Sequence, residues 1–137
     1  MENNTLPLSV IIPVYNHADE LEACLLSLNC QTRLPAEVII VDDASTDDLS
    51  VRIHTIATDF SFKYNRFTEN RGAPTARNEG FRQATQPYVI FLDADVLLKP
   101  NALEEFVKTL EAHPENDFVY SSHYFGWKIF PAPAFDA

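Results

Sequence analysis

The stretch Val89-Ile90-Phe91-Leu92-Asp93-Ala94-Asp95 runs apolar without a break and then delivers two carboxylates spaced i and i+2. An apolar run with no polar alternation fits a strand covered on both faces, as in a parallel sheet. Residues two apart on a strand share a face, so the spacing predicts Asp93 and Asp95 side by side at the strand's carboxyl end. Two like charges held together favour a bound cation or a ligand hydroxyl nearby. Ligands of open α/β sheets bind outside that end of the strands. The stretch therefore reads as a buried strand opening onto a metal-assisted ligand site.

The same grammar repeats on either side. Leu8 to Val14 is a β-rich apolar run ended by the polar turn Tyr15-Asn16-His17, and Leu21, Cys24, Leu25 and Leu28 then recur at helical spacing. Glu37 to Val41 is another apolar strand, stopped by Asp42-Asp43. Ser45-Thr46-Asp47-Asp48 resembles a helix start, and a weak helix is expected from there to about Phe60. Lys63 to Phe67 reads as a strand and Pro74 to Ala84 as a helix with proline in its first turn. Gly72 and Gly80 are expected to serve a turn and a close helix–sheet contact. Tyr88 to Leu92 is the fourth strand, and Pro100 opens an amphipathic helix whose apolar face is Leu103, Phe106, Val107 and Leu110. Asp117 to Ser121 is expected to be a fifth strand. Strands alternating with helices predict an α/β fold, a mostly parallel sheet with helices on both faces.

The length of 137 residues suits one domain with a real core, here about residues 8–121, followed by a tail over 122–137. A hydrophobic share of 46% beside 22% charged residues is ordinary globular usage. The net charge of -10 argues against nucleic acid or an anionic membrane as the main partner. It also means that an anionic ligand needs a cation or well-placed donors to bind. Cys24 and Cys30 fit neither a zinc nor a redox pattern, and Cys24 falls on the apolar helix face as a core thiol. His17, His54, His113 and His123 lack metal-ligand spacing and read as surface or satisfied residues. No run approaches the roughly 18 apolar residues of a transmembrane span. Met1 to Thr5 has no secretory pattern, so a cytoplasmic protein is expected. The tail carries Tyr120, Tyr124, Phe125, Trp127, Phe130 and Phe135, broken by Pro131 and Pro133. That ragged aromatic end is expected to face further residues of a longer protein, or to serve as a surface for homo-oligomerisation.

Three strand ends should converge on one side of the sheet, carrying Pro13-Val14-Tyr15-Asn16, Asp42-Asp43 and Asp93-Ala94-Asp95. A tyrosine ring offers a flat face on which a base can stack. An aspartate accepts hydrogen bonds from a ring N–H or from ribose hydroxyls. The last pair suits a divalent cation that keeps other positions for phosphate oxygens and water. Together they suit a nucleotide diphosphate with its metal.

Val10-Ile11-Ile12-Pro13-Val14-Tyr15-Asn16, Val41-Asp42-Asp43-Ala44-Ser45-Thr46-Asp47, Asn70-Arg71-Gly72 with Ala76-Arg77-Asn78-Glu79-Gly80, and Phe91-Leu92-Asp93-Ala94-Asp95 together resemble the family 2 glycosyltransferases. The resemblance runs from Leu8 to about Leu110. It implies the Rossmann-like GT-A fold and transfer of a sugar, with inversion, from a nucleotide donor such as a UDP-sugar. It also implies that Pro13 and Tyr15 line the uracil pocket beside Asn16, and that Asp43 hydrogen-bonds the base with Asp42 as its neighbour. Arg77 would lie near the nucleotide and Asp93 beside the ribose and sugar. Asp95, with Asp93, would hold Mn²⁺ or Mg²⁺. The family's general base has no counterpart here. Glu104, Glu105 and Glu111 lie on the amphipathic helix, Asp117 precedes a strand and Asp136 is in the tail. The base is expected beyond Ala137, leaving a donor-binding portion that does not complete transfer to its unknown glycan, lipid or protein acceptor.

Each residue also has a plain structural reading. Asp42-Asp43 could end a strand and cap the next helix, Tyr15 could shield a turn, and Arg77 could pair with an acidic neighbour on its own helix. A dinucleotide-dependent oxidoreductase requires a glycine-rich turn where Tyr15-Asn16-His17 stands. A phosphoacceptor receiver domain would carry its acidic pair after the first strand and a lysine at the end of a late one, and neither is present. A non-catalytic nucleotide-binding or self-association module is the remaining alternative.

Overall fold

The computed structural model describes residues 4–121, 123–125 and 128–130, with side chains described up to residue 121. The elements run β1 (Thr5–Val14), α1 (Ala18–Asn29), β2 (Leu34–Asp42), α2 (Leu49–Arg52), β3 (Phe62–Arg66), α3 (Ala73–Gln83), β4 (Tyr88–Phe91), α4 (Ala102–Ala112), β5 (His123–Phe125) and β6 (Lys128–Phe130). The first four strands form one parallel sheet in the order β3-β2-β1-β4.

Alternation along the strands assigns each side chain to a layer. Val10, Ile12, Val14, Val38 and Ile40 face the larger core, where they meet Leu21, Leu25 and Leu28 of α1 and Leu103 and Val107 of α4. Ile39 and Val41 face the other way and pack with Ala76 of α3. That second layer is thin because α3 lies almost on the sheet. A Cβ placed on Gly80 would penetrate Ile11 Cγ2, so only glycine lets the helix seat here. Gln31 joins the two helices of the larger core. Its amide donates to Ser27 O (3.2 Å) and Lys99 O (2.8 Å) and accepts from Leu103 N–H (3.1 Å), tying the end of α1 to the start of α4.

Three expectations need correction. The helix expected from Ser45 to about Phe60 shrinks to the single turn of α2 and a 3₁₀ turn over Ile53–Thr55. The β-branched residues Val51, Ile53, Thr55 and Ile56 disfavour its extension. The strand expected over Asp117 to Ser121 does not form; Phe118 and Tyr120 stack instead at 6.2 Å between ring centroids, and an antiparallel β5–β6 pair follows. Finally, β4 is not covered on both faces among the described residues: Tyr88, Val89 and Ile90 are only partly buried, and Phe91 is 49% exposed, against the Phe81 ring. The tail residues Tyr124, Phe125, Trp127, Phe130 and Phe135 have side chains outside the described residues, as do the association surface they suggested and Asp136. Among the described residues no helix is long and apolar enough to cross a membrane.

Candidate functional site

From β1 the chain proceeds outward through β2 and β3, then returns to place β4 on the opposite side of β1. A parallel sheet leaves a crevice at the carboxyl ends of its strands where the order reverses. A cavity of about 330 Å³ lies there, within the range of small-molecule sites. It is lined by Pro13 and Val14 at the end of β1, Tyr15 and His17 after it, Asp43 after β2, Ala73 and Arg77 of α3, and Asp93, Ala94 and Asp95 after β4.

The β1–β2 side is heavily cross-linked. Asp43 is 4% exposed, and its two carboxylate oxygens accept from the backbone N–H groups of Arg71 (2.7 Å) and Gly72 (2.8 Å). Asn70 Nδ2 donates to Asp43 O (3.3 Å), so the whole loop before α3 is pinned to the end of β2. Gly72 carries φ 91, which admits a glycine without strain. Asp42 is fully buried beneath this turn. Its carboxylate accepts from Ser45 N–H (2.8 Å) and from the Tyr64 hydroxyl by a short bond, with Arg66 Nε at 3.6 Å. Burial, reinforced by that bond to Asp42, pushes the Tyr64 hydroxyl's pKa well above its ordinary value. Asn16 Oδ1 accepts from Thr46 N–H (2.6 Å), Asp47 N–H (3.2 Å) and Thr46 Oγ1 (3.2 Å).

The β4 side is sparser. The strand ends at Phe91, Leu92 N–H adds one bond to Ile11 O (2.9 Å), and Val96 N–H closes a turn on Asp93 O (3.1 Å). Asp93 and Asp95 therefore occupy a turn, not adjacent positions on a strand face. Arg77 Nη2 meets Asp93 Oδ1 at 2.9 Å, across from α3 to the β4 turn, and both side chains are partly exposed. Under the turn lies Cys24, with Sγ 4.0 Å from Asp93 O. Burial, and secondarily the charge of Asp95, pushes the Cys24 thiol up to about 12.

Among the described residues no three His, Cys, Asp or Glu side chains converge as a metal cage. Asp93 and Asp95 nevertheless offer hard oxygen donors from one turn at the cavity wall. That donor set fits Mg²⁺-type binding, in which one or two carboxylates act with substrate phosphates and water.

The cavity thus gathers Pro13, Tyr15, Asp43, Arg77, Asp93 and Asp95 of the residues singled out in the sequence. Asp42, the last residue of β2, and Asn16, in the turn after β1, are not among its lining residues. Arg77 pairs across the cavity and not along its own helix. Sequence reasoning missed His17 and Ala73 as lining residues, and gave no role to the N–H groups of Arg71 and Gly72. Proximity to Tyr15 and the Gly72-Ala73-Pro74 helix start were the available signals.

Comparison with known proteins identifies the family and the fold. The sequence profile of Glycosyl transferase family 2 matches residues 9–134. An uncharacterized glycosyltransferase of Rickettsia conorii is 37% identical over 118 residues, 86% of this chain and 19% of the relative. The uncharacterized glycosyltransferase YibD of Escherichia coli is 40% identical over 104 residues, 76% of this chain and 30% of the relative. The chain thus spans less than a third of the length of either. Among solved structures, S. aureus TarS 1-349 in complex with UDP-GlcNAc matches with a TM-score of 0.71 at 29% identity, over 80% of this chain and 32% of that one. The mannosyltransferase PcManGT from Pyrobaculum calidifontis, in complex with GDP-Man and Mn2+, matches with 0.67 at 32% identity, over 77% of this chain and 32% of that one. By its profile match, its relatives and its parallel sheet, the chain belongs to glycosyl transferase family 2 and has the GT-A fold.

Proposed function

We propose that this chain is the donor-binding portion of an inverting, metal-dependent glycosyltransferase whose donor is a nucleotide-diphosphate-sugar, with UDP as the nucleotide. One observation carries the reading: residues from four separate elements meet around a single cavity at the carboxyl ends of the strands. Tyr15, 42% exposed at the cavity wall, supplies a ring face for the base, with Pro13 beside it. Asp43 accepts a hydrogen bond from the base with lone pairs left over from the loop it already holds. Arg77 offers a guanidinium to the diphosphate. Asp95 and Asp93 would hold Mn²⁺ or Mg²⁺. When bound, that cation supplies Lewis-acid neutralisation of the charge on the leaving diphosphate. The TarS complex with UDP and the PcManGT complex with GDP-Man and Mn2+ support a nucleotide donor and a divalent cation.

Inversion requires a base to take the acceptor hydroxyl's proton opposite the leaving group. The cavity's own carboxylates are assigned to the donor side, so we place the base outside these 137 residues. The acceptor is a hydroxyl of a glycan, lipid or protein. A cytoplasmic setting belongs to the same proposal, supported by Cys24 and Cys30 as free thiols. Competition calorimetry of UDP against GDP, with and without Mn²⁺, tests the reading. Preferential, Mn²⁺-dependent binding of UDP is expected. Binding of neither nucleotide would sink it, and preference for GDP would reassign the base.

A further inference from the structure

We infer that Asn16 is a positioning residue for Tyr15, holding the ring at the cavity wall through a clasp between the turns that follow β1 and β2. This rests on the nucleotide reading of the cavity. Asn16 and Ala44 are the non-glycine residues of the described chain with positive φ, 56° and 65°. Left-handed backbone is costly at Ala44 and tolerated at Asn16, whose short polar side chain can hydrogen-bond locally. Here the two turns are bonded in both directions. Asn16 N–H donates to Ser45 Oγ (3.0 Å), while Asn16 Oδ1 accepts from Thr46 N–H (2.6 Å) and Asp47 N–H (3.2 Å). One residue on, the Asp47 carboxylate accepts from Ala18 N–H (3.2 Å) at the start of α1 and from Leu49 N–H (3.1 Å) at the start of α2. The second turn is itself anchored by Asp42, buried and bonded to Ser45 N–H (2.8 Å).

Asn16 follows Tyr15 directly, so the clasp fixes the backbone from which the Tyr15 ring projects. Tyr15 is 42% exposed, so packing covers only part of it. If the turn needed only a positive φ, glycine would serve at position 16. The side-chain oxygen adds the acceptor that joins the two turns. The asparagine therefore acts on the base through Tyr15, without lining the cavity itself.

The test measures UDP affinity in the presence of Mn²⁺ for the full chain, well below the lowest melting temperature of the variants. Asn16→Gly keeps the backbone conformation and removes the acceptor; Asn16→Asp restores an acceptor at a residue that also tolerates positive φ. Asn16→Gly is expected to weaken UDP by about tenfold, Asn16→Asp to stay within about threefold, and Asn16→Gly to add nothing in a Tyr15→Ala background. Unchanged affinity in Asn16→Gly, or the same loss with and without Tyr15, would overturn the inference. Absence of both UDP and GDP binding in the unaltered chain would instead refute the nucleotide reading. The clasp is then judged by amide hydrogen exchange. Protection of the Thr46 and Asp47 amides that disappears in Asn16→Gly supports it, and protection that survives refutes it.

Discussion

The two sides of the cavity are built to different standards. On the β1–β2 side, Asp42 is fully buried, Asp43 nearly so, and a web of bonds joins their turn to Asn16, Tyr64 and the loop before α3. On the β4 side, Asp93 and Asp95 stand on a short turn after a four-residue strand, and Asp93 is joined to the partly exposed Arg77. The difference matches the work proposed for each. A base is a rigid, flat ligand best met by groups fixed in advance. A diphosphate and its cation arrive with their own charges, and partly exposed carboxylates with few other commitments can rearrange to meet them.

The largest effect should come from the buried side. Asp42→Ala removes the acceptor for Ser45 N–H and the Tyr64 hydroxyl, and should cost about 3 kcal/mol or more in denaturant unfolding. A loss below about 1 kcal/mol would show that this side is not the rigid one. Next comes Gly80→Ala, which drives a methyl into Ile11 and should cost roughly 1–3 kcal/mol. Because α3 carries Arg77, the same variant should weaken UDP binding, joining the two sides through one helix.

Cys24, beneath the β4 turn, gives a smaller and pH-dependent effect. Its folded pKa lies above the unfolded 9.0, so the unfolded chain releases the proton first as pH rises. Stability is thus fully present below about pH 9 and falls as pH climbs toward 12. Urea unfolding measured across that window should show the decline in the unaltered chain. Cys24→Ala should flatten it, at the cost of a small cavity. The smallest stability effect belongs to Arg77→Gln, whose partly exposed ion pair should leave unfolding within about 0.5 kcal/mol. Its UDP affinity with Mn²⁺ should nevertheless fall by about tenfold, the inverse of the pattern at Asp42.

The contrast between the sides also explains what could be read from residue order. Strands such as Leu8 to Val14 announce themselves because both faces are apolar, and Gly80 marks a close contact because no other residue fits. Gathering Tyr15, Asp43, Arg77, Asp93 and Asp95 follows from alternation of strands and helices, which brings strand ends together whatever lies between. Asp42 and Asp43 are alike as residue types, and only the family resemblance assigns the base to Asp43 with Asp42 as its neighbour. Both are buried, and their partners separate them: Asp42 accepts from Ser45 N–H and the Tyr64 hydroxyl, while Asp43 lines the cavity and accepts from the N–H groups of Arg71 and Gly72. The clasp at Asn16 was equally hidden, because it joins residues about thirty positions apart through single side-chain bonds. Nor does composition alone show that β4 is only partly covered. Phe91 looks like core in sequence and is half exposed in the fold.

The division of labour between the two sides is tested most directly by calorimetric titration of uridine and of UDP, each with and without Mn²⁺. If the β1–β2 side holds the base and the β4 side holds the cation with the diphosphate, Mn²⁺ should tighten UDP by about tenfold or more and leave uridine unchanged. Equal affinities for UDP with and without Mn²⁺, or an equal gain for uridine, would contradict it.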